Sequence, residues 1–403
     1  MDMLASNPET FAMDASQFLS PTFSTFIPTL PSTQETSNSI VACAAYDIGS
    51  GATKYMGALI NVGNMTIEQI FSQGSFNVPY REDLHQSSNN QFSDLIQEMG
   101  LQALTQAHLQ IEQDYVGQNL SGYGEIQHFA VATAAFRAAD NGTFVAENFS
   151  DKLEMPINII SQEEEGKLAY YSALSKIPNN DTLPIVWDIG GGSMQLTFKD
   201  SSDTFHIMEG EMASQTFQAL VTTHIKGAED GSASPNPLNA ANVDAAIELA
   251  KAHLQFDITS TEIISNQIKQ ETPIFAVGTV HNMVISPLCH LAGIESNADH
   301  YTKSDLRLAI ELLTDKTDHD IVQLNHLPTL SLAKNQLTNL ILVYAMMDLM
   351  GIEQVQTMKV SNVEGLMVMN ATPPKLPIAS PIFALDELDL IHSSSYRHFD
   401  IKC

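Results

Sequence analysis

Two short stretches of the chain join a carboxylate to a run of very small residues: Asp47-Ile48-Gly49-Ser50-Gly51-Ala52-Thr53-Lys54 and Asp188-Ile189-Gly190-Gly191-Gly192-Ser193. Backbone N–H groups can converge on an anion only where no bulky Cβ blocks the approach. Gly49, Ser50, Gly51 and Thr53 in the first stretch, and Gly190, Gly191, Gly192 and Ser193 in the second, therefore read as two phosphate nests. Neither fits GxxxxGK[ST] or a GxGxxG opening a helix, which excludes the common nucleotide loops. A structural hairpin accounts for either turn alone. Two copies, each closing an apolar strand and headed by Asp-Ile-Gly, point to a duplicated unit with a function. Asp47 and Asp188 would repel an anion held beside them unless a cation lay between, and carboxylate oxygens next to phosphate are the surroundings that Mg2+ takes.

Cations are scarce. The chain has 18 Lys and Arg against 47 Asp and Glu. Lys54 follows the first nest, and Arg137 comes directly after a strand ending Ala132-Thr133, so both are placed to meet oxyanions. Glu163, Glu164 and Glu165 open a helix, where acidic side chains favourably meet the positive end of the dipole. Three in a row exceed that need, and in a water-poor cleft one could act as general base, its pKa raised by like charges. Gly278-Thr279 is a further turn at a strand end. Other signals are weak: no HExxH helix or GxSxG elbow occurs, His319-Asp320 reads as a helix-cap region, the 13 histidines are scattered, and Met346, Met347 and Met350 read as core.

The elements that must position these residues alternate between strand and helix. Ile40 to Tyr46 and Thr53 to Asn61 read as strands about the first turn, with a helix over 92–113, a buried strand from Ile126 to Thr133 and another over 156–160. Ser161-Gln162-Glu163-Glu164 has the form of a capping box opening a helix through Leu174. The second half repeats the scheme: strands at Leu183 to Trp187 and on to Phe198, a loop over 227–237, a helix over 243–254, and a strand over 273–277. Helices follow over 303–314 and 331–350, then a strand over 355–360 and a helix near 363–369.

A chain of 403 residues with 44% hydrophobic content can bury more than one core, and two domains invite a cleft. The net charge of -29 argues against nucleic-acid binding by charge neutralisation, and a polyanionic substrate would need local cations, amides and metal. Cys43, Cys289 and Cys403 form neither a disulfide framework nor a zinc spacing. No membrane-length apolar run or signal sequence is seen, so the expectation is a cytoplasmic protein.

Taken in order, these segments resemble the exopolyphosphatase and guanosine pentaphosphate phosphohydrolase (Ppx/GppA) family of the actin-like ATPase superfamily. Asp47 to Lys54 is similar to its first phosphate motif and Asp188 to Ser193 to its second. Ala132-Thr133-Ala134-Ala135-Phe136-Arg137 is similar to its ATxxxR segment, Ile160 to Gly166 to its ISxEEEG segment, and Val277-Gly278-Thr279-Val280 to its second-domain GGT turn. The resemblance covers roughly 40–370 and implies an α/β fold of two duplicated actin-like (ribonuclease H-like) domains with an interdomain cleft. The organisation is then a flexible N-terminal extension over 1–39, domain I over 40–165 completed by a C-terminal helix near 361–370, domain II over 166–360, and a tail over 371–403.

The resemblance also implies roles. Glu165, or Glu164 if the alignment shifts by one, activates a water for in-line attack on a terminal phosphorus. Asp188, with Asp47 through water, holds Mg2+, while Arg137, Lys54, both nests and the Gly278-Thr279 turn neutralise the transferred group. The expected substrate is polyphosphate or guanosine pentaphosphate, with a lean towards short chains or a nucleotide, and a homodimer is the assembly considered. Three departures stand out: Gln195 where the family usually has Glu, Gly51 where Asn is frequent, and Val360-Ser361-Asn362-Val363-Glu364-Gly365 in place of a segment with Gly-Leu-Arg. They leave open a second reading, a catalytically weakened member that binds a phosphorylated ligand and regulates a partner. A sugar or acyl kinase of the superfamily is disfavoured by the ATxxxR and ISQEEEG segments.

Overall fold

The computed structural model describes residues 39–177, 183–229, 233–292 and 299–373. The extension expected over 1–39 and the tail over 371–403 lie outside the described residues, apart from Ser39 and the three positions 371–373.

β1 (Ile40–Ile48) is apolar along nearly its whole length because both of its faces are covered. Ala42, Ala44, Tyr46 and Ile48 pack with α2 (Asp94–Gly117), after the short α1 (Tyr80–Gln86), while Val41, Cys43 and Ala45 pack on the opposite face. By the same alternation Asp47 falls on the face of Cys43 and Ala45. β2 (Ala52–Asn61) and β3 (Thr66–Asn77) run antiparallel on one side of β1, and β4 (Gln127–Ala132) and β5 (Ile157–Ile159) run parallel on the other. The order is β3-β2-β1-β4-β5. α3 (Ala134–Ala138) and α4 (Gly142–Leu153) connect β4 to β5.

The second sheet repeats this scheme around β6 (Ile185–Ile189), with β7 (Met194–Lys199) and β8 (Phe205–Gly210) antiparallel on one side and β9 (Ile274–Val277) parallel on the other. β11 (Gln354–Thr357) continues in parallel and β10 (His300–Thr302) adds an antiparallel edge. Trp187 and Ile189 point into the larger core, with α6 (Ser214–His224), α7 (Ala240–His253), α8 (Ile258–Lys269), α9 (Ser286–Leu291), α10 (Lys303–Leu313), α11 (Asp318–Asn325) and α12 (Gln336–Met350) contributing. Val186 faces the other way, and Asp188 shares its face.

Two helices join the inner faces. α5 (Gln162–Leu174) sends Leu168 into the apolar cluster of the first sheet and Ala169, Tyr170 and Ala173 into that of the second. α13 (Asn362–Asn370) lays Val363, Leu366 and Met367 on the first sheet. The two helices touch backbone to side chain: the Ser172 hydroxyl accepts the Gly365 N–H at 2.7 Å and lies 2.7 Å from the Ser361 carbonyl.

The structure shows the anticipated capping box at Ser161 with Glu164 as its partner, and Met346 and Met347 are wholly buried. His319 and Asp320 sit in the first turn of α11, where Asp320 closes a capping box with Thr317. The helix expected over 331–350 divides into a 3-10 turn at Leu330–Ala333 and α12, and the strand expected over 355–360 stops at Thr357.

The α5–α13 crossing has no room for a Cβ at Gly365, which would run into the Leu168 carbonyl and the Ser172 hydroxyl. Gly365→Ala is therefore expected to destabilise the protein by about 1–3 kcal/mol through overpacking. A denaturant midpoint equal to wild type would show that the two helices separate without cost.

Candidate active site

Both Asp-Ile-Gly turns are tight hairpins with the same closure. The Gly49 N–H meets the Ala52 carbonyl at 3.0 Å, and the Gly190 N–H meets the Ser193 carbonyl at 2.9 Å. Across each hairpin the Asp faces the residue seven positions on, Asp47 opposite Lys54 and Asp188 opposite Gln195. In each lobe a helix N-terminus then docks on the turn: Arg81 N–H on the Ser50 carbonyl at 2.9 Å, and Gln215 N–H on the Gly191 carbonyl at 2.9 Å. These bonds draw the turn carbonyls outwards, and among the described residues no backbone carbonyl accepts from the amides of Ser50, Gly51, Gly191 or Gly192.

The two turns face each other at close range. A Cβ on Gly191 would come within 3.0 Å of the Ser50 Cβ, and one on Gly192 within 3.1 Å of the Ser50 hydroxyl and 3.2 Å of the Ala134 Cβ. Each lobe also reaches across to the other's turn. Gln215 comes within 3.0 Å of the Cβ position of Gly51, and Arg81 within 4.0 Å of that of Gly192. Arg81 and Gln215 were not singled out in the sequence. The signal for Arg81 was its rarity, being one of four arginines, together with its place just after β3.

Glu165 enters the same space from the first turn of α5, which the capping box at Ser161 orients. Its Oε2 accepts from Arg137 Nη2 at 2.9 Å and lies 3.4 Å from the Ser193 hydroxyl. Arg137 is anchored in turn by the Ile160 carbonyl, 2.8 Å from its Nη1. Glu164 is exposed, and its carboxylate accepts from the Ser161 N–H at 2.8 Å, so it is engaged in the cap outside the cleft. Thr53 also stands apart, since alternation along β2 puts its buried side chain on the face of Tyr55, away from Asp47. Gly278 lies against Asp188 with φ +84°, and a Cβ there would run into the Asp188 carboxylate. Thr279 follows it at the surface.

Three carboxylates are thus buried in one place. Burial pushes Glu165 up to about 7, with Arg137 opposing and the charges of Asp188 and Asp47 adding. Burial pushes Asp188 up to about 6, with Lys54 opposing and Asp47 adding. Asp47 is raised by burial as well, again against Lys54. Asp47 Oδ1, Gln195 Oε1 and Gln215 Oε1 are buried without a hydrogen-bond partner. Orphaned oxygens beside ionisable carboxylates make Asp47 and Asp188 the residues that could hold a cation here. Gln195 is 1% exposed, and its amide meets Gln162 Oε1 at 3.3 Å.

This architecture is similar to that of solved proteins. A crystal structure of the Aquifex aeolicus Ppx/GppA family member superposes with a TM-score of 0.59 at 15% identity, over 83% of this chain and 100% of that one. An exopolyphosphatase from Cytophaga hutchinsonii gives 0.59 at 13% identity, over 82% of this chain and 99% of that one. At such identities the likeness concerns the fold, which is one of two actin-like domains. No curated protein matches the sequence. The model of the Ppx/GppA phosphatase family matches residues 118–371, a span that holds Arg137, Glu165, the second Asp-Ile-Gly turn and Gly278, with the first turn lying before it. The chain belongs to the Ppx/GppA phosphatase family, a family of phosphatase hydrolases.

Proposed function

We propose that the protein releases terminal phosphate from inorganic polyphosphate or guanosine pentaphosphate, with Glu165 as the general base. The observation that carries this reading is Glu165 itself: a buried carboxylate raised to about 7, paired with Arg137 at 2.9 Å and facing two glycine-rich turns. Glu165 accepts a proton from water as the water oxygen bonds to the terminal phosphorus, and the bridging P–O bond breaks with its electrons leaving on the shortened chain. Such a phosphate leaving group needs no acid, so the work is positioning and charge neutralisation. The free amides of Gly191 and Gly192, with Lys54, Arg81 and Arg137, face the phosphoryl oxygens. Asp188, with Asp47 through water, suits Mg2+, which commonly takes one or two carboxylates and keeps several waters; when bound it neutralises the phosphate charge. Burial of the free thiols Cys43 and Cys289 suits a reducing compartment, and we place the protein in the cytoplasm. A second reading rests on Gln195, whose neutral amide stands opposite Asp188: a weakened site that binds a phosphorylated ligand and regulates a partner.

Phosphate release by the purified protein with Mg2+ is to be measured on short polyphosphate, long polyphosphate and guanosine pentaphosphate. Glu165→Gln should lower kcat by about 10²–10⁴-fold with little change in KM, as loss of a base does. Equal turnover in the variant would remove Glu165 from that role. No release from wild type on any substrate, with a ligand-dependent rise in Tm, would favour the binding protein.

Gln195→Glu restores a carboxylate opposite Asp188 and should lower the Mg2+ concentration needed for half-maximal activity by about 10-fold. An unchanged Mg2+ dependence would mean that Gln195 belongs to a rebuilt site.

The raised Glu165 also has a signature in stability. Between its unfolded value near 4.5 and its folded value of about 7, the folded state holds the proton that the unfolded state has lost, so wild-type stability falls as pH rises. His281, buried and lowered to about 3, acts with the opposite sign, but it is common to wild type and variant. In the absence of metal, Glu165→Gln should therefore gain on wild type by about 1 kcal/mol per pH unit from pH 5 to 7, read from paired denaturant curves. A parallel pair of curves would show that Glu165 titrates normally.

A further inference from the structure

On the opposite face of the first sheet from the cleft, two imidazoles and a carboxylate meet. His108 and Glu112 stand four residues apart on one side of α2, and β4 brings His128 beside Ala44 of β1. His128 Nε2 lies 3.3 Å from Glu112 Oε1, and the two imidazole rings are 4.7 Å apart, centre to centre. One donor atom from each of His108, Glu112 and His128 falls within 4.8 Å of the other two, and among the described residues no other group of three His, Cys, Asp or Glu gathers so closely. Tyr46 fixes the arrangement from β1: its hydroxyl lies 3.3 Å from His108 Nδ1 and 3.1 Å from His128 Nδ1, leaving the Nε2 atoms clear of it.

We propose that His108, Glu112 and His128 form a binding site for a first-row divalent metal ion of the Zn2+ type, with water completing the coordination and Tyr46 orienting both imidazoles. Two neutral imidazoles and one carboxylate are the donor set that zinc and its neighbours take, whereas Mg2+ and Ca2+ prefer oxygen alone. Tetrahedral ligands at zinc bond lengths stand about 3.3 Å from one another. The His128–Glu112 pair already has that spacing, and the half-exposed Glu112 side chain is free to adjust. A hydroxyl shared by both Nδ1 atoms is the kind of outer partner that sets the orientation of metal-binding histidines. The site differs from the cleft in position and chemistry, since Tyr46 and Asp47 leave β1 on opposite faces.

Calorimetric titration of chelator-treated, full-length protein with Zn2+ in excess Mg2+ tests the assignment. One equivalent should bind to wild type and to Asp188→Asn, and none to His108→Gln, His128→Gln or Glu112→Gln, while Tyr46→Phe should weaken binding by about 10–100-fold. Metal-free melting curves identify any variant that has lost its fold, and Glu112→Gln, altered at an exposed side chain, keeps the comparison usable if a histidine variant does not fold. Zn2+ binding that survives all three ligand substitutions, binding lost only in Asp188→Asn, or no binding to wild type would each overturn the proposal.

Discussion

The arrangement of this molecule turns on three carboxylates, Asp47, Asp188 and Glu165, held together where water is largely excluded. Loss of hydration disfavours the charged form, so burial raises each of these groups, and like charge adds on two of them: Asp47 on Asp188, and both aspartates on Glu165. Two cations limit the cost. Lys54 acts on both aspartates, and Arg137 is paired with the glutamate. Neither cation would be in place without the local structure behind it. Lys54 stands opposite Asp47 because the hairpin turn is short, and Arg137 is tethered by the Ile160 carbonyl at the end of the neighbouring strand. The capping box at Ser161 aims Glu165 inwards by occupying Glu164 outside.

Duplication supplies the frame and asymmetry supplies the chemistry. The two sheets share an order and their hairpins a register, so Lys54 and Gln195 occupy matching places, as do Arg81 and Gln215. In both pairs the first lobe carries the cation and the second a neutral amide. The positive charge that faces the turns therefore comes from the first lobe, through Lys54, Arg81 and Arg137. The second lobe contributes the glycine turn whose lack of side chains lets Ser50 and Ala134 approach. The lobes meet again at Gly365 and Ser172, so the crossing of α5 and α13 and the closeness of the turns are parts of one packing problem.

Much of this was legible in the sequence because the informative residues are constrained locally. An apolar run ending in Asp-Ile-Gly specifies strand, turn and carboxylate together, and Ser161 with Glu164 specifies where α5 begins. What escaped was determined by tertiary contacts. β3 and β8 border their sheets, and β3 leaves most of its residues partly or fully exposed, so its hydrophobic signal is weak. Arg81 gains its meaning only from the second lobe's turn, which no local pattern encodes. Thr53 looked like part of a nest from its neighbours, but strand alternation carries it to the other face. His108, Glu112 and His128 looked scattered because a sheet and a helix are needed to gather them.

The acidity of the chain bears on the proposed substrates. A net charge of -29 over a whole surface is largely screened beyond about 8 Å at physiological ionic strength, so the charges that decide binding are those lining the cleft. There the three carboxylates meet Lys54, Arg81 and Arg137, which leaves no surplus of positive charge for a phosphate. Two events supply one: a proton on Glu165, whose raised pKa keeps it available near neutrality, or a divalent cation on the aspartates. A protonated Glu165 cannot act as base, so binding that relies on the proton is unproductive and binding that relies on the cation is productive. On the proposed reading, Mg2+ is then needed to admit the anion while Glu165 stays ionised. On the same reading, the cations Lys54, Arg81 and Arg137 gather at the two turns of a chain with 18 basic residues against 47 acidic ones, which favours substrates whose charge is concentrated at the terminus the cleft receives.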